Sequence, residues 1–288
     1  MLVRNITENL ITDMKTNNSN EHPIVSVVVP VFNSERTIKS TVRSILDQTF
    51  RQIEVIIIDD GSCDSTPIKC GELALLDNRV KIYKLESSSG GPAKPRNLGI
   101  TVAKGIWVAF CDSDDIWHSR KLELQLQNVG LNPDSILCSQ IKEFSVDENV
   151  NLNQIIQSVG VVRYCVNDML RKNRVATSSA MIKRETINRV GYFNESKDLV
   201  AIEDYDFWLR VLLMSGSNVC MINVPLTYYR LSSGSLSANK VSMLIKVAKL
   251  LWFYSVREKT YGSIFRWASH IAFYCILSFR NRIILKRM

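Results

Sequence analysis

The segment Trp107-Val-Ala-Phe-Cys-Asp-Ser-Asp-Asp115 constrains this chain more than any other. Four apolar residues and a cysteine run straight into three carboxylates within four positions. The apolar run is short and follows the turn residue Gly105. It predicts a buried strand with Asp112, Asp114 and Asp115 crowded at its C-terminal end. Like charges held so close repel one another. Hard oxygen ligands gathered at one point suit a divalent cation such as Mg2+ or Mn2+, and such a cation commonly carries a diphosphate. An isolated Asp-x-Asp is more often a solvated acidic turn, so the rest of the chain must decide between the two readings.

Two upstream runs end in the same manner. Val25-Ser-Val-Val-Val-Pro-Val-Phe-Asn33 is β-branched and is stopped by Pro30, and Glu54-Val-Ile-Ile-Ile-Asp-Asp-Gly-Ser62 ends in Asp59, Asp60 and a Gly-Ser turn. In open α/β sheets ligands bind outside the carboxyl ends of the strands. Pro30–Asn33, Asp59–Ser62 and Asp112–Asp115 are therefore expected around one crevice. Helical patterns fill the gaps. One helix is capped at Asn33 or Ser34 and aligns Ile38, Val42, Ile45 and Leu46. Others are predicted from Asp64–Ser65 to about Leu76, over Pro92–Lys104 with Leu98 and Val102 inward, over Ser119–Gln127, and over Tyr205–Leu213. Val80–Leu85 alternates as a strand does. This order predicts an α/β fold, Rossmann-like, with a mostly parallel sheet flanked by helices and right-handed crossovers. No G-x-G-x-x-G follows any of the strands, which argues against a classical dinucleotide site.

At 288 residues, with 46% hydrophobic and 22% charged residues, the chain is globular and long enough for one sizeable domain and an appendage. Residues 1–22 read as a flexible lead-in without the apolar core of a signal peptide, residues 23–238 as the α/β domain, and residues 239–288 as a basic helical extension. The longest apolar stretch near the end, Ile271–Phe279, stops at Arg280 and falls short of the ~20 residues a spanning helix needs. Seven cysteines without a C-x-x-C pair fit a reduced, cytosolic chain with free thiols. The three histidines, His22, His118 and His270, are scattered and take no catalytic role. A net charge of +8 favours anionic partners.

Val25–Asn33, Ile58-Asp-Asp-Gly-Ser62, Pro95-Arg-Asn-Leu-Gly99, Phe110-Cys-Asp-Ser-Asp-Asp115 and Glu203-Asp-Tyr-Asp-Phe-Trp208 resemble, in order and spacing, the successive signatures of family 2 glycosyltransferases with the GT-A fold. The resemblance runs from about Pro23 to Arg230. It implies transfer of a sugar from a nucleotide diphosphate sugar, here a UDP-sugar, with inversion at the anomeric carbon. It further implies that Asp60 accepts a hydrogen bond from the uracil N–H, and that Pro30, Phe32 and Glu35 wrap base and ribose. Arg96, and less so Lys94, would face the diphosphate, Arg for its planar fork. Asp112 and Ser113 would contact the donor, and Asp114 would ligate Mn2+ or Mg2+. Asp204 matches the base position, with Glu203 beside it; an inverting attack needs a carboxylate to take the acceptor's proton. The same acids would also complement the positive end of the helix they open. Phe32 could equally be a core aromatic, and the sequence alone does not decide what Arg230 touches. The Gln-x-x-Arg-Trp signature of processive synthases is absent, which argues for single additions.

From Lys240 onwards Leu, Ile, Phe and Trp are mixed with Lys246, Lys249, Arg257, Lys259, Arg266, Arg280, Arg282, Lys286 and Arg287. Basic amphipathic helices with interfacial aromatics lie on anionic membranes; the alternative is a packed appendage with a charged outer face. On the membrane reading the chain looks like transferases of O-antigen or capsule assembly. Its acceptor would be an undecaprenyl-diphosphate-linked sugar, and its place the cytoplasmic face of the bacterial inner membrane. Other readings are an acceptor that is not a lipid, a nucleotidyltransferase, a non-catalytic scaffold, or a basic nucleic-acid-binding protein. The last lacks any motif with interleaved base-stacking aromatics.

Overall fold

The computed structural model describes residues 22–129, 132–145, 151–156, 158–231 and 240–257. The first half alternates strictly: β1 (Val25–Val31), α1 (Ile38–Leu46), β2 (Ile53–Asp59), α2 (Thr66–Leu76), β3 (Val80–Lys84), α3 (Ala93–Val102) and β4 (Trp107–Phe110). The second half is less regular: β5 (Ile116–Trp117), α4 (Lys121–Gln127), β6 (Ile136–Phe144), β7 (Val161–Tyr164), α5 (Val166–Arg171), β8 (Met181–Lys183), α6 (Arg184–Val190), α7 (Glu203–Ser215), β9 (Val219–Arg230) and α8 (Lys240–Arg257). The strands form a nine-stranded sheet in the order β3-β2-β1-β4-β8-β6-β9-β5, with β7 also on β9.

β1 to β4 pair in parallel, as the alternation predicts. β8 then inserts antiparallel to both β4 and β6, and β5 and β7 run antiparallel to β9. The sheet is thus parallel through its first half and mixed through its second. The apolar runs of β1 and β2 are buried along their whole length, because helices cover both faces. Their side chains alternate between two cores. Val28, Ile56 and Ile58 meet α3, α6 and α7 on one face, while Val25, Val27, Val29, Val55 and Ile57 meet α1 and α4 on the other. Pairing of β1 with β4 ends at Val28, so Pro30 lies past the point where a donor would be required on that side. α3 crosses β1 closely: a Cβ on Gly99 would sit 2.3 Å from a methyl of Val28. That approach fixes the height of the helix that carries Arg96.

α8 packs on the α/β domain. Val247, Leu250, Leu251 and Tyr254, spaced three, four and seven apart, are buried in the same core as α7. The Tyr254 hydroxyl donates to Asp206 Oδ1 at 2.6 Å, and Lys246 Nζ donates to the carbonyl of Val200 at 2.8 Å. The extension is therefore continuous with the α/β domain at least to Tyr254, because its apolar stripe completes a core that α7 leaves open. No described helix is long and apolar enough to cross a membrane. The lead-in through residue 21 and everything after residue 257 lie outside the described residues.

Candidate active site

The carboxyl ends of β1, β2 and β4 meet as expected, and the first two loops are locked together. Asn33 takes a positive φ of 49°, which asparagine tolerates, and its Oδ1 accepts from Cys63 N at 2.9 Å. Asn33 N donates to Ser62 Oγ, and Ser34 N to Thr66 Oγ1 at 2.7 Å. Glu35 N donates to Asp64 Oδ2, while Ser65 N donates back to Glu35 Oε2 at 3.1 Å. One oxygen of Glu35 thus holds the loop that also positions Phe32. Phe32 itself is 49% exposed and not a core aromatic. Pro30 is buried in β1.

Asp59 turns inward and accepts from Ser62 N at 2.9 Å. Asp60 accepts from Ser89 N at 2.8 Å and from the hydroxyls of Ser88 and Ser89. Gly61 follows at φ +79°, where a Cβ would meet the backbone of Ser87 and Ser88. The Asp-Gly-Ser turn therefore sits tightly on the loop before α3, and only glycine fits the contact.

The acidic end of β4 divides its labour. Asp112 N donates to Ser178 Oγ at 3.0 Å. Ser113 shares a 2.6 Å hydroxyl bond with Ser34, and its carbonyl accepts from Thr41. Asp115 is fully buried, and its Oδ1 accepts from Arg230 N. Burial first, then Asp112 and Asp114, raises its pKa well above the usual carboxylate range. Asp114 is half-buried, and burial together with Asp112 pushes its pKa up to about 6. No cationic side chain among the described residues pairs with its carboxylate; Arg230 Nε reaches the Asp114 carbonyl instead, at 2.8 Å. Among the described residues no three His, Cys, Asp or Glu side chains form a complete metal cage. An unpaired Asp114 beside Asp112 fits a different arrangement, a Mg2+-like ion held by one or two carboxylates and completed by substrate phosphates.

Arg96 is 3% exposed and lies between two carboxylates. Nη2 donates to Asp112 Oδ1 at 2.7 Å and Nη1 to Glu203 Oε1 at 2.8 Å. Burial opposes its charge, but Asp112 and Glu203 outweigh burial and raise its pKa. Lys94, by contrast, is exposed. It lines a crevice between the loop before α3 and residues 194–200, with Glu203 also on the wall.

Asp204 sits in the first turn of α7. Its Oδ2 accepts from Thr177 Oγ1 at 2.9 Å and its Oδ1 from Tyr205 N at 2.6 Å. Burial and then the neighbouring Glu203 raise its pKa to about 6; Arg96 and Thr177 pull the other way. A carboxylate held near neutrality can accept a proton. All three acids expected at the helix start do lie in its first turn. Asp206 is committed to packing, since it takes Arg210 Nε and the Tyr254 hydroxyl.

Sequence reasoning overlooked the 3-10 turn Thr177–Ser179, which holds Asp204 through Thr177 and Asp112 through Ser178. Its one trace in the sequence is the run of small residues Thr177-Ser-Ser-Ala180 just before an apolar strand. His118 is structural: Nε2 bonds the Gln154 carbonyl and Nδ1 accepts from Arg120 N.

A family model described as Glycosyl transferase family 2 matches residues 26–193. The chain is 32% identical to the Escherichia coli UDP-Glc:alpha-D-GlcNAc-diphosphoundecaprenol beta-1,3-glucosyltransferase WfgD, over 77% of this chain and 82% of the relative. Its fold is similar to Staphylococcus aureus TarS 1-349 in complex with UDP-GlcNAc, with a TM-score of 0.64 at 21% identity over 84% of this chain and 69% of the other. It is also similar to the Pyrobaculum calidifontis mannosyltransferase PcManGT in complex with GDP-Man and Mn2+, with a TM-score of 0.62 at 16% identity over 92% and 81%.

Proposed function

Since the chain belongs to glycosyl transferase family 2 and is a glycosyltransferase of GT-A fold, we propose that it moves a hexose, with inversion, from UDP-glucose or UDP-galactose to a lipid-diphosphate-linked GlcNAc during surface polysaccharide synthesis. The observation that carries this reading is the joining of two carboxylate groups, Asp112–Asp114 at the end of β4 and Glu203–Asp204 at the start of α7, around the buried cation Arg96. The relative named for UDP-Glc and a GlcNAc-diphosphoundecaprenol supports the choice of donor and acceptor.

On this reading each residue takes a role that suits its chemistry. Phe32, Pro30, Glu35 and Asp60 form the nucleoside side, Asp112 and Ser113 reach the ribose and sugar, and Asp114 would hold Mn2+ or Mg2+. When bound, that ion offsets the charge that gathers on the departing diphosphate. Arg230, anchored on the Asp114 carbonyl, is close enough to that ligand position to add a positive charge. Asp204 takes the proton of the acceptor hydroxyl as it attacks. Thr177 and the Tyr205 N–H orient the carboxylate for this. The test is a screen of UDP-sugars with Mn2+ and a synthetic lipid-diphosphate-GlcNAc, read by mass spectrometry. A product one hexose heavier is expected with UDP-glucose or UDP-galactose. No mass gain with any UDP-sugar would discard the proposal.

The acceptor's lipid also gives the residues after α8 a purpose. Each Lys or Arg near an anionic bilayer contributes roughly 1 kcal/mol, screened by salt. The full chain is expected to cosediment with anionic liposomes, less so in high salt. A chain ending at Lys259, which keeps α8 and its packing, should stay in the supernatant. Equal recovery of the two in the pellet would leave the segment with no membrane role.

A further inference from the structure

We propose that Arg96 is a positioning residue: it sets the base-bearing helix α7 against the acidic end of β4 and does not clamp the diphosphate. This rests on the reading of Asp204 as the base. Arg96 is 3% exposed and already commits both ends of its fork. Nη2 donates to Asp112 at 2.7 Å and Nη1 to Glu203 at 2.8 Å, while Nε is buried and without a partner. The guanidinium carbon lies 5.6 Å from the Phe193 ring centroid, so an aromatic closes one side.

What the fork does instead is measure a distance. The two residues it joins to α3 come from strand β4 and helix α7, 91 positions apart in the chain. Glu203 precedes the base directly, and its other oxygen, Oε2, is buried with no partner. Arg96 is therefore the contact that holds Glu203 down and, through the backbone, Asp204 up to the crevice. The charges acting on Asp204 are Glu203 on its own helix and Arg96 on α3; the 3-10 turn contributes the uncharged Thr177. Loss of Arg96 should then move the base in two ways, in place and in proton affinity.

The experiment compares Arg96→Lys and Arg96→Met with wild type by UDP calorimetry and by the pH dependence of kcat. A lysine keeps the charge but has one nitrogen and cannot span both carboxylates. Misplacement of a reacting group by about 1 Å costs on the order of 10²-fold, so Arg96→Lys should lose up to about that much in kcat while its Kd for UDP stays near wild type. The acid limb of the pH profile, at about 6 in wild type, should move upward, and further in Arg96→Met than in Arg96→Lys. If Arg96→Met fails to fold, the lysine variant alone decides. A large loss of UDP affinity with an unmoved acid limb would overturn the proposal and make Arg96 a diphosphate ligand. An unchanged kcat would overturn it as well. Failure of the underlying reading looks different: wild type itself would transfer no sugar, or its acid limb would survive in Asp204→Asn, and the positioning role would fall with it.

Discussion

Replacing Asp204 with asparagine should lower kcat by about 10²–10⁴-fold, the usual worth of a general base, and leave UDP binding near normal. The change keeps shape. An asparagine Oδ1 can still accept from the Tyr205 N–H, and the Thr177 hydroxyl can turn to accept from the new amide. Only the capacity to take a proton is removed. The pH profile sharpens the test. Burial and Glu203 raise the Asp204 pKa to about 6. Below that pH the carboxyl is protonated and cannot act as a base, so wild-type kcat/KM should climb with pH and level off above about 6. At saturating Mn2+, which would keep its ligand Asp114 ionised, the climb should vanish in Asp204→Asn along with the rate. If the variant instead bound UDP poorly and turned over normally at saturation, Asp204 would belong to donor binding.

The second large effect is expected at the end of β4. Asp114→Ala should abolish transfer, and excess EDTA should do the same to wild type, with activity restored by added Mn2+. Asp114 carries a carboxylate that no described cationic side chain pairs with, at the place where the diphosphate would bring more negative charge. Two anionic groups approach such a point only with a cation between them. Full activity in excess EDTA would remove the metal from the reaction.

The parts of this molecule that were legible in its sequence are those governed by local pattern. A strand buried on both faces favours a largely β-branched run, and Val25–Val31 and Ile53–Asp59 are such runs, interrupted only by Ser26, Pro30, Glu54 and the closing Asp59. The acids that end the second run, Asp59 and Asp60, stand out because a Gly-Ser turn follows them. The helix at Glu203 was visible through Phe207, Val211 and Leu212, although it begins two residues sooner than the apolar periodicity suggests, since its first turn is acidic. What stayed hidden depends on partners far along the chain. The second partner of Arg96, Glu203, lies 107 residues away and leaves no mark in the motif around Arg96. Thr177 and Ser178 carry no motif, and their importance comes only from what lies above them. The mixed half of the sheet follows from β8, a strand of three residues that is too short to show a period. For α8 two readings stayed open, because an amphipathic pattern does not say whether its apolar side meets lipid or protein.

The late position of α8 has a consequence for how the molecule is made. The strands and loops expected to hold the nucleotide all fall before Asp115, whereas the core around α7 is closed by Val247, Leu250, Leu251 and Tyr254. Chains leave the ribosome N-terminus first and fold as they emerge. The parallel strands are thus made while the core they share with α7 is still open to water. The site takes its final shape only when the last described helix docks, so the order of synthesis puts completion of the base after completion of the strands that carry the nucleotide loops.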